Sequence, residues 1–120
     1  MKKVLIVDDA SVARLLIKKI LKQGDFMIVG EAANGKDALA KYKELRPDVV
    51  TMDVIMPEAD GLQATKDILA FDRNAKVVIV SSIDQKEMLV RAIKAGASSY
   101  IVKPFESDRV ISALNEVLKN

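Results

Sequence analysis

Short continuous apolar runs alternate along the chain with segments in which apolar residues return every three or four positions. The runs Lys3 to Val7, Phe26 to Val29, Val49 to Met52, Val77 to Val80 and Tyr100 to Val102 lack in-out alternation, so they predict parallel strands buried on both faces. Between them, Val12, Leu15, Leu16 and Ile20 form a first helical stripe, and Ala38, Leu39, Tyr42 and Leu45 a second. Ala64, Ile68 and Leu69 form a third, Met88, Ala92 and Ile93 a fourth, and Val110, Ile111, Leu114 and Val117 a fifth. Caps mark the boundaries: Asn34 has Asp37 three residues on, Asp60 has Gln63, and Asp84 has Glu87. Ala95-Gly96 and Arg46-Pro47 read as stops. Five βα units with right-handed crossovers predict an α/β fold: a five-stranded parallel sheet with helices on both faces, in three layers.

The composition narrows the class. With 120 residues the chain is expected to form one domain over 1 to 120, with no linker, low-complexity segment or output domain. Apolar residues at 50% and charged residues at 30% suit a folded globule. A net charge of +2, with scattered basic residues, lacks the concentrated stripe that nucleic acid requires. No cysteine or histidine is present, so metal ligation must come from oxygen. The apolar run after Met1-Lys2-Lys3 is broken by Asp8-Asp9, which excludes a signal peptide, and no stretch reaches the ~18 residues of a membrane span. The expected location is cytoplasmic.

In open parallel sheets, ligands bind beyond the carboxyl ends of the strands, where the strand order switches. Three of the runs end there in groups suited to phosphate: Asp8-Asp9 after the first, Asp53 after the third, and Lys103-Pro104 after the fifth. Two like charges ~4 Å apart repel by roughly 4 kcal/mol near a protein surface, so three acids at one edge call for a cation. Mg²⁺ is expected, because it takes one or two carboxylates, keeps waters and completes its shell with phosphate. Of two adjacent acids, one can bind directly and the other through water. Capping of the first helix is the plainer alternative for the pair. Asp53 can act as a nucleophile accepting a phosphoryl group, or be a strand-end turn residue. Lys103 can pair with the acids and a phosphoryl oxygen, and a cis bond to Pro104 would aim it back over them. Ser81 and Ser82 offer hydroxyls at the end of the fourth strand, and Tyr100 is an aromatic with a polar tip.

The ordered set Val4-Leu5-Ile6-Val7-Asp8-Asp9, Met52-Asp53-Val54-Ile55-Met56-Pro57, Asp60-Gly61, Ser81, Ala95-Gly96-Ala97 and Lys103-Pro104-Phe105 resembles the receiver domain of two-component response regulators. The likeness covers nearly the whole chain and is strongest to single-domain, CheY-like chemotaxis regulators, which implies their flavodoxin-like sandwich. The resemblance implies that Asp53 accepts a phosphoryl group from a histidine kinase. Asp8, Asp9, Asp53 and the backbone carbonyl of Ile55 would hold Mg²⁺, and Lys103 and Ser81 would contact the phosphoryl group. Ser81 and Tyr100 would form the switch. Ile83, Met88, Arg91, Arg109 and Ile111 would lie on the face that meets a downstream target, the flagellar motor switch in a chemotaxis protein, and a phosphatase is a further implied partner. Ile55 and Ile83 depart from the polar residues common at the positions flanking the hydrolytic water, which points to slow dephosphorylation. Within the family the alternatives are a phosphorelay intermediate or a receiver excised from a larger regulator. An aspartate-nucleophile phosphatase of the haloacid-dehalogenase type would carry an acid where Ile55 stands. A flavodoxin-like FMN module would need a hydroxyl-rich loop in place of Asp8-Asp9-Ala10-Ser11.

Overall fold

The computed structural model describes residues 1–54, 56 and 61–119, with Ile83 described by its backbone. The chain runs β1 (Lys2–Val7), α1 (Ser11–Leu21), β2 (Phe26–Ala32), α2 (Gly35–Leu45), β3 (Val49–Asp53), α3 (Gly61–Phe71), β4 (Val77–Ser82), a 3-10 turn (Ile83–Gln85), α4 (Lys86–Lys94), β5 (Ser99–Lys103) and α5 (Ser107–Leu118). All strand pairs are parallel, in the order β2-β1-β3-β4-β5. The order reverses between β1 and β3, so the ends of those strands define the crevice where a ligand is expected.

Side-chain alternation along the strands splits the core. Leu5, Val7, Val50, Met52, Val77 and Ile79 pack beneath α2, α3 and α4, whereas Val4, Ile6, Val49, Val78 and Ile101 pack beneath α1 and α5. Central strands are therefore apolar at most positions, with Thr51 of β3 a buried exception, which is why they read as nearly unbroken runs. Edge strand β2 is less buried. Its register against β1 shifts between Val4 and Leu5, leaving Val29 as an extra residue.

Asn34 caps α2 as expected, its Oδ1 accepting from Asp37 N–H at 2.8 Å. Arg46, with φ 47°, ends that helix, and Gly96, with φ 118°, ends α4. The cap expected at Asp84 is displaced. Ser82 starts that turn, its N–H donating to Gln85 Oε1 at 2.9 Å, while Asp84 accepts from the Ser82 hydroxyl. The cap expected at Asp60 lies outside the described residues.

The first helical stripe is corrected. α1 buries Ile17, Ile20 and Leu21, and leaves Val12, Leu15 and Leu16 exposed. This helix is apolar on more than one side, so the face that docks is chosen by the sheet and α5 rather than by periodicity alone. Ile93 of the fourth stripe is likewise exposed, with Ala92 the buried residue of α4. The remaining stripes face the core.

Candidate functional site at the carboxyl edge of the sheet

Asp8 leaves β1 almost fully buried, with 2% of its surface exposed. Its N–H donates to the Ala32 carbonyl at 3.0 Å, and its Oδ1 accepts from Ala10 N–H at 2.9 Å in a tight turn. Oδ2 is buried and receives no hydrogen bond from the described residues. α1 itself is entered through Ala10 without a side-chain cap, so helix capping does not account for the acid pair. Asp9 is exposed, and no hydrogen bond or ion pair holds its side chain among the described residues.

Asp53 is the last residue of β3 and is buried. Asp8, Asp9 and Asp53 each present a carboxylate oxygen, all within 4.8 Å of one another. Gly61, the first residue of α3, lies against the Asp53 backbone. A Cβ there would fall 1.9 Å from the Asp53 carbonyl oxygen, and Gly61 N–H donates to the Val54 carbonyl at 3.0 Å. Only glycine permits that approach, so Gly61 does more than start a helix.

Lys103 ends β5, its bond to Pro104 is cis, and its Nζ stands 3.7 Å from Asp8 Oδ2. At an effective dielectric of 20, that attraction is about 4.5 kcal/mol and the buried pair Asp8–Asp53 at 4.8 Å repels by about 3.5 kcal/mol, with about 0.9 kcal/mol more from each pair that includes the exposed Asp9. One half-exposed lysine cannot offset three such repulsions. The donor set of hard oxygens, with the buried Oδ2 of Asp8 lacking a donor, fits a divalent cation of the Mg²⁺ class.

Ser81 is fully buried in β4, the strand between those of Asp53 and Lys103, and its Oγ has no partner among the described residues. Tyr100 lies outside this cluster. The residue is 43% exposed, and Arg109 donates to its backbone carbonyl at 3.1 Å. Arg91 is exposed and pairs with Glu87, whereas Met88 packs against the core. Leu89, Val90, Ile93 and Tyr100, with Lys86 and Lys94, line a shallow groove on this face. Beside the acids, a cleft of about 280 Å³ is lined by Asp8, Ala13, Leu16, Ile17, Lys103, Pro104 and Phe105. Ile55, and the side chain of Ile83, lie outside the described residues.

Three residues near the edge, Arg14, Lys18 and Glu31, have no sequence motif to mark them. Arg14 Nη1 donates to the Asp8 carbonyl at 2.6 Å and its Nε to Glu31 Oε1 at 3.0 Å, and Lys18 Nζ donates to Glu31 Oε2 at 2.9 Å. The Lys18 hydrogen bond holds the Glu31 carboxyl below the usual range against the opposing effect of burial, with Arg14 adding to the shift. In the sequence, Glu31 stands only as a charge two residues beyond the apolar run Phe26 to Val29.

The response regulator receiver domain matches residues 4–115. The chemotaxis protein CheY of Thermotoga maritima is 51% identical over 118 residues, covering 98% of each chain. That of Listeria monocytogenes is 52% identical over 119 residues, covering 99% of this chain and all of the relative. Among solved structures, a complex of CheX and CheY with BeF3 and Mg²⁺ from Borrelia burgdorferi superposes with a TM-score of 0.91 at 33% identity, over 97% of this chain and 88% of that one. The chain belongs to the response regulator receiver family. Within it, the resemblance is to chemotaxis receivers of the CheY kind, so this is a phosphorylation-dependent signalling protein rather than an enzyme, and the phosphatase and FMN readings fall away.

Proposed function

We propose that Asp53 is the phosphorylated residue and that a histidine kinase is the donor. The observation that carries this reading is the meeting of three carboxylates within 4.8 Å, with an ammonium 3.7 Å from one of them. An Asp53 carboxylate oxygen attacks phosphorus in line, forming the acyl phosphate bond as the phosphorus–nitrogen bond of the phosphohistidine breaks and the imidazole leaves. Asp8, Asp9 and Asp53, with the backbone carbonyl of Ile55, would hold Mg²⁺, which when bound neutralises the acids and the charge on the phosphoryl oxygens.

Lys103 sits where its ammonium can pass from Asp8 to a phosphoryl oxygen. Ser81 Oγ has a hydrogen bond to give, since no group among the described residues takes one from it. A hydroxyl drawn toward the phosphoryl group would vacate space beside β5, and Tyr100 would turn inward from its exposed position. The groove of Leu89, Val90, Ile93 and Tyr100 would then change shape, together with the exposed Arg91 and Arg109 and the half-buried Ile111. That face is the proposed docking surface for a downstream target, the flagellar motor switch in a chemotaxis pathway, and a phosphatase would reset the signal. A cytoplasmic site of action fits these partners, and no helix among the described residues is long and apolar enough to cross a membrane.

The deciding experiment is phosphoryl labelling with a phosphohistidine protein or a small phosphoryl donor in the presence of Mg²⁺. The parent should label stoichiometrically and Asp53→Asn should not. Full labelling of Asp53→Asn would remove the assignment.

A further inference from the structure

Arg14, in the first turn of α1, reaches into the acid loop without belonging to it. Its side chain is 18% exposed, and it donates at once to the Asp8 carbonyl and to Glu31. A guanidinium holds its N–H groups in one rigid plane, so each of these bonds fixes the direction of the other. Glu31 stands one residue before Ala32, whose carbonyl accepts from Asp8 N–H at 3.0 Å. The backbone of Asp8 is thus tied to the end of β2 on both sides, directly through its N–H and through Arg14 at its carbonyl.

The peptide joining Asp8 to Asp9 is planar, so pinning the Asp8 carbonyl also sets the plane that carries Asp9. The Asp9 side chain has no partner of its own among the described residues, so its aim depends on that plane. We propose that Arg14, braced by Glu31, is a positioning residue that holds Asp8 and Asp9 ready for the divalent cation. The inference rests on the metal-site reading given above. An opposing effect exists, because a guanidinium near a cation site repels the cation. Glu31 counters that charge directly beside Arg14, while Lys18, which shares Glu31, lies one helical turn further along α1. Positioning should therefore prevail. Partners that orient metal ligands are typically worth 10- to 100-fold in metal affinity.

The test is calorimetric titration of Mg²⁺ into the parent, Arg14→Ala, Arg14→Lys and Glu31→Gln, well below the unfolding midpoint of each. Arg14→Lys keeps the charge but cannot bridge Asp8 and Glu31, so both Arg14 variants should bind Mg²⁺ about tenfold more weakly. Glu31→Gln should lose affinity in the same direction. In metal-free protein, amide exchange at Asp9 and Ala10 should quicken in all three. Parent-like affinity in Arg14→Lys would show that charge alone suffices, and parent-like or tighter binding by Arg14→Ala would show that repulsion dominates; either overturns the proposal. A merely structural role would lower the unfolding midpoint and leave Mg²⁺ affinity alone. A parent that binds no Mg²⁺ would instead remove the metal-site reading, and this inference with it.

Discussion

Removing one charge from the metal-free acid cluster should stabilise the protein, and by an amount that depends on which acid is removed. Asp9 faces Asp8 and Asp53 with oxygens within 4.8 Å and has no compensating partner among the described residues. Each repulsion is about 0.9 kcal/mol at the dielectric of water and about 3.5 kcal/mol at an effective dielectric of 20. Because Asp9 is exposed, the lower value applies, and Asp9→Asn should gain about 1 to 2 kcal/mol. For a chain of 120 residues that is a rise of about 4 to 8 °C in unfolding midpoint. Asp8 is repelled by Asp9 and, more strongly, by the buried Asp53, but it attracts Lys103 at 3.7 Å and accepts from Ala10 N–H. Asp8→Asn should therefore stay within about 1 kcal/mol of the parent. Thermal unfolding by circular dichroism in a chelator gives the order, and 1 M salt, with a screening length of about 3 Å, should shrink the Asp9→Asn gain. Saturating Mg²⁺ should reverse it: a parent at a hundred times its dissociation constant gains about 2.7 kcal/mol, most of which Asp9→Asn forgoes. A larger gain in Asp8→Asn than in Asp9→Asn, or none in Asp9→Asn, would refute the charge balance drawn here.

Ser81→Ala should leave labelling of Asp53 largely intact while weakening the phosphorylation-dependent gain in target affinity; a full response in target binding would place the switch elsewhere. Tyr42→Phe removes a 2.8 Å hydrogen bond to Asp72 and should cost about 1 kcal/mol at neutral pH. That bond holds the Asp72 carboxyl below its ordinary 3.8, so its stabilisation is present above that value and fades as the pH falls through the lowered one. Denaturant unfolding of the two proteins should converge in acid, and a constant gap would contradict the pairing. Replacing Ile55 with Asn and Ile83 with Glu should admit and orient the hydrolytic water, speeding decay of the phosphoprotein roughly tenfold if the barrier falls ~1.4 kcal/mol; unchanged decay would refute it.

The strands were legible because burial on both faces favours apolar residues at nearly every position, Thr51 apart, and each apolar run maps onto a strand. Where the runs were too short, the reason is functional. β3, β4 and β5 continue through Asp53, Ser82 and Lys103, polar residues whose backbones still pair while Asp53 and Lys103 join the acid cluster and the Ser82 hydroxyl donates to Asp84. Edge strand β2 continues through Gly30 and Glu31 because one side of an edge need not be apolar. The acids and Lys103 could be foreseen as neighbours, since a parallel sheet brings its carboxyl ends to one edge. The sequence did not say which of two adjacent acids would be buried, nor that Lys103 would favour Asp8. Nor could it choose the docking face of α1, where Ile17, Ile20 and Leu21 prevailed over Val12, Leu15 and Leu16. The contact of Arg14 with Glu31 joins residues 17 apart, and Gly61 meets the backbone of Asp53. Such pairings carry no periodicity. They exist only once the packing of helices on the sheet has fixed which side chains, and which backbones, share a place.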